Sequence, residues 1–270
     1  MKPAIQKRNH IQVLGQGRET LVFAHGFGAN QRVWRHQVEA FQGRYRIVLF
    51  DHVGFGGSDL AAYSPQRYRG LAQYAEDVLE LCEELNLSAC TWVGHSMSGM
   101  VGVLASLMEP GCFQRLVLLN GSPRYLNEPS EDYFGGFEQA QVNQLYAAME
   151  SNFSAWAEGF ARMMHDPSRP DLVQEYQHSL GTMRPDVALA LARIVFQSDH
   201  RLALPLVRVP TLVVQSPNDA AVPMGVSRYL AHHLPGARCV ELDASQAHHP
   251  HLSAPDVVNQ KLDAFLSSVR

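Results

Sequence analysis

A chain of 270 residues, 46% hydrophobic and 18% charged, has the material for one large α/β domain or a core with a lid, and its composition excludes a disordered protein. A net charge of −4 without a dense basic run argues against nucleic acid or an anionic membrane surface as partner. The stretch from Met1 to His10 has no apolar signal core, no segment reaches the about 18 uninterrupted apolar residues of a membrane span, and Cys82, Cys90, Cys112 and Cys239 form no C-x-x-C pair, so a reduced, cytoplasmic protein is expected.

Taken in chain order, His10 to Leu14 and Thr20 to Ala24 read as two strands joined through Gly15-Gln16-Gly17-Arg18-Glu19, a glycine-containing hairpin loop. His25-Gly26-Phe27-Gly28 follows, then a helical stretch from Arg32 to Phe41 and a strand from Tyr45 to Phe50. That strand delivers the glycine-rich loop 51–59. Leu71, Tyr74, Val78, Leu81 and Leu85 recur at helical spacing and predict a helix packed on a sheet. Strands then follow at Cys90 to Val93 and at Arg115 to Leu119, separated by an apolar helix around Met100 to Ala105. Cys90 and Cys239, both in strand-like runs, read as core thiols. This alternation predicts a mostly parallel central sheet flanked by helices.

From about Ser122 to about Leu206 the strand pattern disappears. Helical stretches at Gly136 to Met149, Phe153 to Met164, Pro170 to Leu180 and Pro185 to Phe196 take over, two of them opening on proline. The α/β rhythm resumes with strands at Pro210 to Gln215 and Arg238 to Leu242 and helices at Val226 to Leu234 and Asp256 to Ser267. The expected organisation is a core of residues 1–121 and 207–270 with a helical lid of residues 122–206.

Gly94-His95-Ser96-Met97-Ser98 lies between a predicted strand and a predicted helix, the context of a nucleophile elbow, with Ser98 where the G-x-S-x-G pattern has its second glycine and Gly99 one position later. Ser96 is the expected nucleophile. Side chains at Gly94 and Gly99 are expected to collide where strand and helix come together, and the Met97 N–H stands at a helix N-terminus, where it can hold an oxyanion. The second oxyanion donor is expected from the loop after an early strand, at Phe27.

A serine hydroxyl needs a base, and the base needs an orienting acid. In elbow folds the acid follows a late strand and the histidine comes last. Asp219 lies directly after Thr211-Leu212-Val213-Val214-Gln215, whereas Asp199 precedes that strand and Asp243 follows the wrong one. The residues alone leave His248, His249 and His251 open as the base. The three lie in a proline-interrupted loop without H-x-x-x-H spacing or a fixed carboxylate, so neither metal nor cofactor is predicted. Phe27, Trp156, Phe160 and Phe196 are candidate walls of an apolar substrate pocket, with His95, Tyr125 and Phe137 beside them.

The chain resembles the α/β-hydrolase superfamily, and within it the RsbQ group of bacterial stress-pathway regulators and their plant relatives, the karrikin and strigolactone receptors. The resemblance rests on Gly26-Phe27-Gly28, Phe50-Asp51-His52-Val53-Gly54, Gly94-His95-Ser96-Met97-Ser98, Tyr125-Leu126-Asn127, Gly135-Gly136-Phe137-Glu138, Phe196-Gln197-Ser198-Asp199-His200-Arg201 and His248-His249-Pro250-His251. It implies a four-helix, V-shaped lid over a small apolar pocket and a Ser96, Asp219, His248 triad. It further implies slow hydrolysis of small esters or butenolide-type lactones, with ligand occupancy passed to a signalling phosphatase of the RsbP type. Ala247 stands where the family has glycine, and His52 where RsbQ has tyrosine.

Overall fold

Runs rich in Val, Ile and Leu pair edge to edge because a strand covered on both faces has no need of polar alternation. The computed structural model of the chain describes residues 5–243 and 247–268; the outermost ends of the expected core and residues 244–246 lie outside them. A short helix α1 (Ile5–Arg8) precedes strands β1 (Gln12–Leu14), β2 (Thr20–Ala24), β3 (Arg46–Leu49), β4 (Cys90–His95), β5 (Phe113–Leu119), β6 (Thr211–Gln215) and β7 (Arg238–Glu241). They form one seven-stranded sheet in the order β1-β3-β2-β4-β5-β6-β7, parallel throughout except for β1 against β3. Strand β4 is buried at every position and forms the centre of the core.

The expected hairpin does not form. β1 pairs antiparallel with β3, Gln12 opposite Leu49 and Leu14 opposite Ile47, on the far side from β2. The reason lies in the two glycines of the connection. Gly15 has φ +69°, and a Cβ on it would stand 2.6 Å from the Gln42 carbonyl oxygen, while one on Gly17 would run into the backbone of Arg44 and Tyr45. The segment therefore lies flat against residues 42–45 and carries β1 across the start of β3.

Helices α2 (Arg35–Phe41), α3 (Leu71–Glu84), α4 (Met97–Met108), α9 (Met224–His233), α10 (Pro250–Ser253) and α11 (Pro255–Ser268) flank the sheet, α3 packing on α4 and α2 on α11. The single helix expected over residues 32–41 comes in two parts. Asn30 accepts from the Arg32 N–H at 3.0 Å and starts a 3₁₀ turn, Gln31–Trp34, before α2. Cys239, expected in the core, is exposed, because β7 is the outermost strand and only half covered.

Between β5 and β6 the chain builds α5 (Gln139–Ser151), α6 (Phe153–Met164), α7 (Pro170–Gly181) and α8 (Pro185–Phe196). Asn152 caps α6 through the Ala155 N–H, and proline opens α7 and α8. α5 packs on α8, α6 on α7 and α5 on α6. Arg124 and Asp199, near the two ends of this insertion, meet at 2.8 Å and bring its beginning and end together. No described helix is long and apolar enough to cross a membrane.

Candidate active site

The sheet has one switch point. From β2 the chain moves outward to β3, and from β4 it moves the opposite way to β5, so the crevice between the C-terminal ends of β2 and β4 is where open α/β sheets take ligands. The loop holding Phe27 leaves β2 there, and Ser96 leaves β4 there. Ser96 has φ 55° and ψ −122°, a conformation costly for any residue with a side chain, and one that the surrounding core must hold in place. A Cβ on Gly94 would meet the Ser98 carbonyl, so the tight elbow requires glycine there. At Gly99 the nearest atom stands 3.6 Å away, ordinary contact, and the collision expected at that position is absent.

Ser96, Asp219 and His248 lie in one hydrogen-bonded file. The Ser96 hydroxyl stands 2.9 Å from His248 Nε2, and His248 Nδ1 stands 2.8 Å and 3.0 Å from the two Asp219 oxygens. Asp219 also accepts from the backbone N–H of Ala221 at 2.7 Å and Val222 at 3.2 Å, which fixes the carboxylate in its loop. Asp199 pairs with Arg124 and Arg201 instead, at the rim of the insertion. The Tyr125 hydroxyl lies within hydrogen-bond distance of the Ser96 oxygen, at 3.1 Å, and burial raises its pKa.

His249 and His251 face away from Ser96. His249 stacks on His165 with ring centroids 4.7 Å apart, and His251 stacks on Trp34 at 4.4 Å. Burial holds both rings well below the usual histidine range, with neighbouring histidines adding to the effect, and holds His165 down to about 4.

Asn120, at the end of β5 with φ 47°, ties the acid loop to the base loop. Its amide nitrogen donates to Ser216 Oγ at 3.0 Å and to the carbonyls of Ala247 and His248 at 3.3 Å and 3.1 Å, and its oxygen accepts from the Ser216 N–H. Asn120 is not among the site residues expected from the sequence; an asparagine followed by glycine directly after the strand Arg115 to Leu119 is the available signal.

Met97 opens α4, whose first N–H groups have no acceptor within the helix. On the opposite side the His25 Nδ1–H donates to the Gly26 carbonyl at 2.8 Å, and His25 Nε2 accepts from the His52 N–H at 3.1 Å. Because C=O and N–H point in opposite directions across a trans peptide, anchoring the Gly26 carbonyl sets the direction of the Phe27 N–H.

A cavity of about 20 Å³, room for about one water, lies above Ser96 between Phe27, Tyr125, Phe160, Tyr176, Phe196 and His248. Met164, Val195 and Ala221 complete it. Three of the expected pocket residues stand behind this wall. His95 donates Nε2–H to the His248 carbonyl, Phe137 packs on Phe196, and Trp156 packs on Phe160 and Phe27. Tyr176 was not foreseen, since nothing in its helical stretch marks its hydroxyl.

The family model for the alpha/beta hydrolase fold matches residues 19–255. The chain is 44% identical to karrikin insensitive 2 receptor CA of Petunia hybrida and 41% identical to strigolactone esterase D14 of Arabidopsis thaliana, with 94% of each chain covered in both cases. A solved hydrolase from Oleispira antarctica superposes with a TM-score of 0.94 at 32% identity, over 98% of this chain and 96% of its own.

Proposed function

The chain belongs to the alpha/beta hydrolase fold family, and from that premise we propose that it is a serine hydrolase of small esters or butenolide-type lactones that doubles as a ligand sensor. The observation that carries this reading is the Ser96–His248–Asp219 file at the floor of an apolar cavity. Ser96 is the nucleophile, His248 the base and Asp219 the acid that holds the imidazole with its Nε2 open toward serine. As the Ser96 oxygen bonds to the substrate carbonyl carbon, its proton passes to His248 Nε2, and the carbonyl oxygen gathers charge between the N–H groups of Phe27 and Met97. The same proton then goes to the departing alkoxide. Water, deprotonated by His248, frees the acid and restores Ser96.

Residues 122–206 serve as the lid in this reading, and residues 1–121 with 207–270 as the catalytic core. The sensor half draws support from the names of the relatives, one a receptor and one an esterase. It assigns the chain a protein partner, a phosphatase of the RsbP type, and a cytoplasmic site of action that suits four free thiols.

A second reading, a receptor that scarcely turns over and acts through its partner, is favoured by the closure of the cavity to about one water's volume. Hydrolysis of p-nitrophenyl acetate by the wild type and by Ser96→Ala decides between them. Equal rates would leave only the receptor.

A further inference from the structure

The backbone carbonyls of the loop that leads from β2 to the candidate oxyanion donor are taken up one after another. The Gly26 carbonyl accepts from His25, within the loop itself. The next two are held from outside: the Tyr176 hydroxyl donates to the Phe27 carbonyl at 2.8 Å, and the Ser179 hydroxyl donates to the Gly28 carbonyl at 2.7 Å. Tyr176 and Ser179 are three residues apart on α7 and share one face of it. Asn30, at the far end of the loop, donates to Ser179 Oγ at 3.2 Å and closes the arrangement. The approach is so close that a Cβ on Gly28, at φ +69°, would run into the Leu180 side chain.

We infer that Tyr176 and Ser179 are positioning residues for the oxyanion loop, so that the hole is complete only when α7 is seated on it. Phe27 sits between two peptide planes. The plane before it, which carries its N–H, is held by His25, and the plane after it by Tyr176. With both held, the φ and ψ of Phe27 are fixed and its N–H keeps its direction. With α7 displaced, the second plane is released, and only the first, held at the Gly26 carbonyl by His25 and by the Ala29 N–H at 3.3 Å, stays fixed.

The insertion also reaches the base. The His248 N–H donates to the Met164 carbonyl, at the end of α6, at 3.1 Å. A cavity of about 20 Å³ does not admit an ester, so α6 to α8 must move to let one in. That movement undoes the hydrogen bonds that align the donor, and chemistry waits until α7 returns. Closure and competence become one event, which keeps the site inactive while it is open to water.

This inference rests on the hydrolase reading above, and its test separates the two. Tyr176→Phe keeps the ring and removes the donor; Ser179→Ala removes the second hydroxyl, and Ser179→Thr restores one. With p-nitrophenyl acetate, Tyr176→Phe should lower kcat about 10- to 100-fold, less than the roughly 10²–10³ of deleting an oxyanion donor outright, with KM within about twofold. Ser179→Ala should lower kcat less, and Ser179→Thr should recover it. Hydrogen exchange of the peptide covering residues 25–30 should quicken in Tyr176→Phe and in Ser179→Ala, with protection elsewhere unchanged. Unchanged exchange of that peptide in both variants overturns the inference, whatever the kinetics. If the wild type hydrolyses no faster than Ser96→Ala, the hydrolase reading falls by itself, and the exchange measurement still decides whether α7 holds the loop.

Discussion

His95 donates its Nε2–H to the backbone carbonyl of His248 across 2.7 Å and 153 positions of sequence. The residue before the serine thus helps set the position of His248, the proposed base, sharing one carbonyl with Asn120. His95→Phe, which fills the space without the donor, should lower kcat/KM for p-nitrophenyl acetate by about tenfold, given that a misplacement of 1 Å can cost about 10². His95→Ala should in addition lose about 2–4 kcal/mol in urea unfolding through the void it leaves. A Phe variant with wild-type kinetics would show that Asn120 alone suffices.

Asp219 receives the His248 Nδ1–H, and amide substitution inverts that preference. Asp219→Asn should present a donor to the ring, favour the wrong tautomer and lower kcat by about 10⁴, as the same exchange does in a serine protease triad. Far-ultraviolet circular dichroism should remain that of the wild type. An Asn variant as fast as the wild type would remove Asp219 from the proposed triad.

The two glycines of the elbow should respond in opposite ways. Gly94→Ala places a Cβ against the Ser98 carbonyl of the backbone, where nothing flexible can yield, and should cost 1–3 kcal/mol or more, on the order of other overpacked cores. Gly99 lies in the first turn of α4 with ordinary space around it. Gly99→Ala should gain about 0.5–1 kcal/mol from helix propensity, read as a raised urea midpoint. A destabilised Gly99→Ala would contradict the open spacing around Gly99.

Stability should fall with pH well before the carboxylates titrate. Burial lowers the pKa of His25, His52, His95, His249 and His251, and lowers that of His165 to about 4. Below the ordinary histidine value of about 6.5 the unfolded chain takes up protons that the folded chain refuses, so folding weakens as pH falls from there toward the folded values. Each ring held neutral costs about 1.4 kcal/mol at pH 5.5 relative to pH 8. Urea unfolding at the two pH values should therefore differ by several kcal/mol. Equal stabilities would mean that these rings are not neutral in the folded protein.

The sequence made most legible what is periodic or sterically unique. The apolar runs of β4, β5 and β6 mark buried parallel strands, and Gly94-His95-Ser96 between strand and helix marks the elbow. The placement of Asp219 directly after β6 could be reached from strand order alone. Which of His248, His249 and His251 bonds to Ser96 could not, because the three have the same chemistry and a loop decides which ring it turns toward the serine. The pairing of β1 with β3 stayed hidden because a glycine loop suits a hairpin and a crossing equally well. The reach of Tyr176 to the Phe27 carbonyl stayed hidden for a related reason: a hydroxyl on an amphipathic helix face carries no signature, and its partner is a backbone atom 149 positions away.

Asn120 is followed by glycine, the pair in which a backbone nitrogen closes most readily on the side-chain amide and expels ammonia. In the folded chain that amide is held at its nitrogen and its oxygen, and ring closure is blocked. An unfolded chain has no such protection. Each excursion out of the native state therefore exposes this one amide to conversion into a carboxylate, which on refolding would face the carbonyl oxygens of residues 247 and 248. Chemical ageing of the protein becomes a tally of how often it has come apart, recorded where acid and base are joined.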